Sequence, residues 1–293
     1  MAIDYVVPMV FHDDPLWQDD FRKVSRCYDD GNLCEFVRWR SWGTEELLVR
    51  CVRKFMPFVR TIYIILARES QKRDWMDGDG ISVVYHKDII PERFVPTFNS
   101  CTIEMFLHRI EGLSDRFIYG NDDMFPLSPL EEKDFFEGDV PCLHHMEIPY
   151  PSNPNIFHSL CRSGQRFVAR EFGVDKSDVL IRGGHSLTPM LRNTWLYLWE
   201  IGAADIEKSI TPMRDGRNFS QWICPWWHYM SGNYVDRFPQ KTYVSTKNSV
   251  DAVCRAIREC NGIVCVNDNE CEKNYMLYGR AVASEIQKRL NHG

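Results

Sequence analysis

Short apolar runs, separated by segments of helical spacing, constrain this chain more than any other feature. Residues 3–11, 61–66, 81–86 and 116–119 each read as a buried strand. After Thr44, a capping hydroxyl followed by Glu45 and Glu46, the residues Leu47, Leu48, Cys51, Val52 and Phe55 recur at helical spacing until Pro57 ends the pattern. Asn99 or Ser100 caps a second helix running through Ile103, Phe106, Leu107 and Ile110 and stopped by Gly112. Strands alternating with helices predict an α/β fold: a parallel or mostly parallel sheet with helices on both faces. Ligands of such sheets sit at the carboxyl ends of the strands, where the loop of Asp4, His86 and the pair Asp122-Asp123 are expected.

The second half reads as mostly helical, with helices at 165–172, 190–201, 219–230, 250–259 and 274–290 and one strand at 262–266. Residues 141–154, rich in His and Pro, read as a loop. No internal repeat and no Pro/Gly/Ser linker divides the 293 residues. The expectation is one catalytic domain over 1–293, an α/β half at 1–135 and a helical half at 136–293 that completes the site.

A net charge of −6 gives no support to nucleic-acid binding. Eleven cysteines at irregular spacing without a CxxC pair argue against a disulfide framework or structural zinc, and for a reducing cytoplasm. The opening residues have neither a basic n-region nor a long apolar h-region, so no secretory signal is expected. No run of eighteen apolar residues is present to span a bilayer, and peripheral membrane attachment stays open.

Asp122 and Asp123 close a short apolar run. Adjacent carboxylates repel unless a divalent cation neutralises them, so they are candidate ligands of Mg²⁺ or Mn²⁺ on a phosphorylated substrate; a solvated turn is the alternative. Asn267-Asp268-Asn269 again places oxygen ligands at a strand end. Glu104 and His108, four apart, would share a helix face. His185 lies in the glycine-opened loop Gly183-Gly184-His185, which suits a proton acceptor presented from a fixed backbone. Arg214 precedes a Trp-rich helix, and a guanidinium can hold two phosphate oxygens; Arg38, Arg40 and Arg50 are further phosphate candidates. Walker A, GxGxxG, GxSxG and HExxH motifs are absent from the sequence.

Four blocks of sequence resemble the Stealth proteins, bacterial capsular-polysaccharide phosphotransferases similar to the catalytic core of the animal lysosomal-enzyme N-acetylglucosamine phosphotransferase. The first is Ile3-Asp4-Tyr5-Val6-Val7 with Asp14-Pro15-Leu16-Trp17. The second starts at Arg40-Ser41-Trp42-Gly43 and runs through His86-Lys87-Asp88-Ile89-Ile90-Pro91, Glu104 and His108-Arg109 to Gly120-Asn121-Asp122-Asp123. The third holds His185, Arg192, Arg214-Asp215 and Gln221-Trp222, and the fourth is Cys265-Val266-Asn267-Asp268-Asn269-Glu270. Pro8-Met9-Val10-Phe11 departs from the Tyr-Thr-Trp-Val usual in the family.

The resemblance implies a Rossmann-like, nucleotide-sugar-transferase (GT-A-like) sheet whose first half binds a UDP-sugar. It implies transfer of a sugar phosphate to an acceptor hydroxyl of a glycan or other molecule, leaving UMP and a phosphodiester; a metal-dependent glycosyltransferase releasing UDP is the alternative. Family active-site positions fall on Glu104, Asp123, His185 and Arg214. Asp123, with Asp122 or Asp268, would hold the metal, Arg214 would neutralise the transferred phosphoryl group, and His185 would take the acceptor proton, with Glu104 as competing base or metal partner. Asp4, Arg40, Arg50, His108, Arg192 and Asn269 are the expected substrate contacts.

Overall fold

The first apolar runs form the centre of the molecule in a computed structural model, which describes residues 2–27, 39–176, 178–268 and 274–292. In chain order its principal elements are β1 (Ile3–Pro8), α1 (Pro15–Ser25), α2 (Glu45–Phe55), β2 (Val59–Leu66), β3 (Ile81–Tyr85), α3 (His86–Ile89), α4 (Ser100–Glu104), β4 (Arg116–Tyr119) and β5 (Met124–Pro126). There follow β6 (Phe136–Glu137), β7 (Val140–Leu143), β8 (Met146–Pro149), α5 (Ile156–Glu171), β9 (Val179–Arg182), β10 (Thr188–Leu191), α6 (Arg192–Ser209) and α7 (Ile223–Ser231). The chain continues with β11 (Val235–Asp236), β12 (Lys241–Ser245), α8 (Val250–Glu259), β13 (Ile263–Asn267) and α9 (Tyr275–His292).

The main sheet has the order β10-β4-β1-β2-β3, parallel throughout except for the antiparallel edge strand β10. Side chains alternate between its two faces. Ile3, Tyr5 and Val7 of β1 and Ile62, Ile64 and Leu66 of β2 join one core, with Leu48, Val52 and Phe55 of α2 and Val282 and Ile286 of α9. Val6, Tyr63 and Ile65 enter a second core on the opposite face, with Leu160, Phe167, Trp195, Leu198 and Trp226 of α5, α6 and α7. Burial on both faces explains why the strands read as near-continuous apolar runs. The result is a Rossmann-like α/β arrangement with helices on both sides of a largely parallel sheet. Among the described residues, no helix is long and apolar enough to cross a membrane.

Three local expectations need correction. Residues 141–154 are not a loop: β7 pairs with β6 and β11, and β8 pairs antiparallel with β9. The second half therefore carries strands as well as helices. The helix opened by Asn99 also ends early, at Glu104, and Leu107–Arg109 form a separate 3₁₀ turn. The carbonyl of Met105, which an α-helix would give to Arg109 N–H, instead accepts from Trp199 Nε1 at 2.7 Å, and Arg109 N–H turns to Phe106 O. Glu104 and His108 consequently do not share a helix face. Finally, the Thr44 hydroxyl makes no capping hydrogen bond at the start of α2.

Candidate active site

The loops after β1, β2, β3 and β4 meet at the carboxyl edge of the sheet and line a cavity of about 750 Å³ through Met9, Ala67, His86 and Asn121-Asp122-Asp123. Strand directions bring the remaining chemistry to the same place. Because β10 runs antiparallel to β4, with Thr188 opposite Tyr119, the loop leading into β10 arrives where β4 ends, and His185 is set beside Asp123. Likewise β13 runs antiparallel to β5, with Cys265 opposite Met124, and Val266 N donates to Asp123 O at 2.9 Å. Asn267 and Asp268 thus reach the cavity.

Asp123 Oδ2 accepts from Cys265 Sγ at 3.3 Å and Asn267 Nδ2 at 3.4 Å, whereas its Oδ1 is buried without a hydrogen-bond partner among the described residues. Burial raises the pKa of Asp123, against the opposing effects of Cys265, His185 and Asn267. Burial, then Asp123, then Glu45, push Asp122 up to about 8. Two carboxylates held this way, one with an unpaired oxygen, store the repulsion that a divalent cation relieves. Asp268 also lines the cavity, but both its oxygens meet Arg40, at 2.5 Å from Nε and 2.7 Å from Nη2.

A second cluster sits across the cavity. Glu104 is buried; its Oε2 accepts from Gln221 N at 2.7 Å and its Oε1 from Tyr119 Oη at 3.1 Å. Burial raises its pKa while the Gln221 amide, Arg214 and Tyr119 pull it down. Arg214 donates from Nη2 to Ser100 Oγ at 2.8 Å. Its loop is pinned by Asn99, whose Oδ1 caps α4 through Cys101 N while Nδ2 lies 3.0 Å from Thr211 O and 2.9 Å from Asn218 Oδ1. One buried asparagine therefore fixes Glu104 and Arg214 relative to each other. His185, at the cavity lip, stacks at a tilt on Tyr243 with centroids 5.0 Å apart, and desolvation lowers its pKa, partly countered by Asp123. The shift favours the neutral imidazole.

Arg40, Glu104, Asp122, Asp123, His185, Arg214 and Asp268 thus line one cavity. Asp4, Arg50, His108 and Arg192 do not. Asp4 sits near the amino end of β1, buried against Arg60 (2.7 Å) and the amides of Thr61 and Ser114. Arg50 is exposed on α2 and reaches Gln287 at 3.1 Å. His108 packs on Trp199, and Arg192 Nε donates to His108 O at 2.8 Å. Asn269 and Arg38 lie outside the described residues.

In sequence Glu45 reads only as a first-turn carboxylate, yet it is buried, lines the cavity and acts on Asp122. The signal was present: Glu45, Leu48, Val49 and Val52 fall at i, i+3, i+4 and i+7, which puts an acid on the apolar face. Trp17, Phe98 and Gln221 stand in the family blocks without a role in the site, and Ser220 and Trp39 carry no sequence signal for it, yet all five line the cavity. Behind the wall residue Trp222, His145 stacks on Tyr229 at 5.4 Å, with both ring nitrogens unpartnered among the described residues and its pKa lowered to about 4, chiefly by burial. A folded-state value below the ordinary 6.5 means the unfolded chain takes the proton first. Stability from this residue is complete above pH 6.5 and falls as pH drops towards 4. His145→Phe, which keeps the stacking, is expected to gain about 2 kcal/mol more over wild type at pH 5 than at pH 8, read by urea unfolding at both pH values.

Known proteins resemble this chain along most of its length. The family profile for Stealth protein CR2, conserved region 2, matches residues 38–142. A receptor polysaccharide phosphotransferase, WefC, of Streptococcus oralis is 31% identical over 271 residues, 80% of this chain and 80% of that protein. A capsular polysaccharide phosphotransferase of Actinobacillus suis is 26% identical over 94% of this chain and 79% of its own length. WcwK of Streptococcus pneumoniae, also a capsular polysaccharide phosphotransferase, is 23% identical over 98% of this chain and 96% of its own. With its α/β cavity of acids, imidazole and guanidinium, the chain is an enzyme of the phosphotransferase class. It belongs to the Stealth family.

Proposed function

We propose that this enzyme moves a hexose phosphate or N-acetylhexosamine phosphate from a UDP-sugar to a hydroxyl of a growing capsular or cell-surface polysaccharide, at the cytoplasmic face of the membrane. The observation that carries this reading is the meeting of Asp122-Asp123, His185, Glu104 and Arg214 on one cavity, brought from loops far apart in sequence. The acceptor oxygen bonds to the sugar-bearing phosphorus, the bridging P–O bond breaks, and UMP departs with the bridging oxygen. The acceptor proton passes to a neutral imidazole, for which His185 is suited by its lowered pKa and its place at the lip. Glu104, enclosed by the Gln221 amide, Tyr119 and the charge of Arg214, is a positioning group rather than the base. Arg214 faces the negative charge on the transferred phosphoryl group.

Asp122 and Asp123 fit a divalent cation, Mg²⁺ or Mn²⁺, since Asp123 Oδ1 is buried and unpaired. Among the described residues no group of three His, Cys, Asp or Glu side chains is arranged around one metal position. That suits a hard cation held by one or two carboxylates and completed by substrate phosphates and water. Such an ion would offset charge on the donor diphosphate.

Nucleotide product identifies the reaction. Incubated with a UDP-sugar, acceptor glycan and Mg²⁺, the enzyme is expected to release UMP, resolved by ion-exchange chromatography. Release of UDP in its place would make it a glycosyltransferase and end this reading.

A further inference from the structure

Buried polar atoms without partners are rare, because each leaves a desolvation cost uncompensated. Two belong to consecutive residues of the cavity lining. Ser220 and Gln221 are 4% and 5% exposed and both line the cavity, and neither Ser220 Oγ nor Gln221 Oε1 has a hydrogen-bond partner among the described residues. Their backbone is fixed: Gln221 N donates to Glu104, and the two carbonyls accept from Ile223 N and Cys224 N at the start of α7. A rigid backbone presenting an unsatisfied hydroxyl and an unsatisfied amide oxygen suits a ligand rich in hydroxyl groups.

We infer that Ser220 and Gln221 form the subsite that hydrogen-bonds the ring hydroxyls of the transferred sugar. The inference rests on the reaction proposed above. Arg214, which faces the transferred phosphate, acts electrostatically on Glu104, the same carboxylate that Gln221 N holds. The sugar is bonded directly to that phosphate, so its hydroxyls fall beside this corner. Gln221 Oε1 accepts from a hydroxyl, and Ser220 Oγ can donate or accept. A site that loses buried hydrogen bonds when a hydroxyl is missing discriminates strongly against the deoxy analogue.

The test is isothermal titration of UDP-glucose, UDP-N-acetylglucosamine and UMP into wild type, Ser220→Ala and Gln221→Ala, without acceptor. Each variant is expected to bind at least one of the two UDP-sugars about five- to tenfold more weakly while UMP affinity stays at the wild-type value. The Tm of the ligand-free variants should equal or exceed that of wild type, since an orphaned polar atom has been removed. Unmoved affinity for both UDP-sugars, or UMP affinity falling in step, overturns the assignment; a Tm loss with unmoved UDP-sugar affinity marks a structural role. If Gln221→Ala does not fold, Gln221→Met, which keeps the length of the side chain but offers no acceptor oxygen, and Ser220→Ala carry the test. The reaction itself stands or falls separately, on whether wild type releases UMP or UDP.

Discussion

Asp123→Asn is expected to cut phosphotransfer by about a thousandfold or more while the protein stays folded and becomes slightly more stable. The two effects share one cause. Asp123 is held against the cavity with its pKa raised by burial, so its ionised form opposes folding at neutral pH. An amide oxygen can keep the contacts now made by Oδ2 with Cys265 Sγ and Asn267 Nδ2. The charge that disappears is the one that, with Asp122, would hold the cation. Tm at pH 7.5 should therefore rise, by about 2–4 °C for each kcal/mol of relieved desolvation cost, while kcat collapses. Mg²⁺ should stabilise wild type against heat and leave the variant unchanged. Wild-type turnover in Asp123→Asn would remove this residue from the reaction, and lost activity accompanied by a lower Tm would make its role structural.

How far the sequence reveals this site depends on how local the signal is. The double aspartate after β4 and the acid after β13 are visible because an apolar run ends on charge, and a strand end is a local event. Pairing is not local. Arg40 and Asp268 stand 228 residues apart, and nothing near either predicts that they close on each other. Asp4 shows the same weakness from the other side: periodicity places it in a strand but does not say that it lies near the amino end, opposite the cavity, where Arg60 and two backbone amides neutralise it. The short strands β8 and β9 escape because four residues carry little periodicity and their pairing is decided by a partner beyond an intervening helix. The early end of α4 escapes because a tryptophan 94 residues away takes the carbonyl the helix needs. By contrast the bounds of α2 and α8 are legible, because each presents one apolar stripe to a core.

Arg214→Ala should lower kcat by about a thousandfold, comparably to the loss of Asp123 but through the opposite charge. The side chain is fixed before any ligand arrives: its loop is tied to Asn99 and Asn218, and Nη2 already donates to Ser100 Oγ. Among the described residues no carboxylate lies within salt-bridge distance of it, although Glu104 is close enough to respond to its charge. A half-buried guanidinium left without an ion pair keeps its field for a phosphoryl group, and preorganised charge costs no rearrangement when the P–O bond breaks. Arg214→Lys retains the charge but not the planar fork, so it should recover only part of the lost rate. Ser100→Ala removes one positioning contact and should cost about tenfold or less, mostly in kcat. Single-turnover rates of the three variants separate these cases, and an Arg214→Ala enzyme within tenfold of wild type would place the transferred phosphate elsewhere in the cavity.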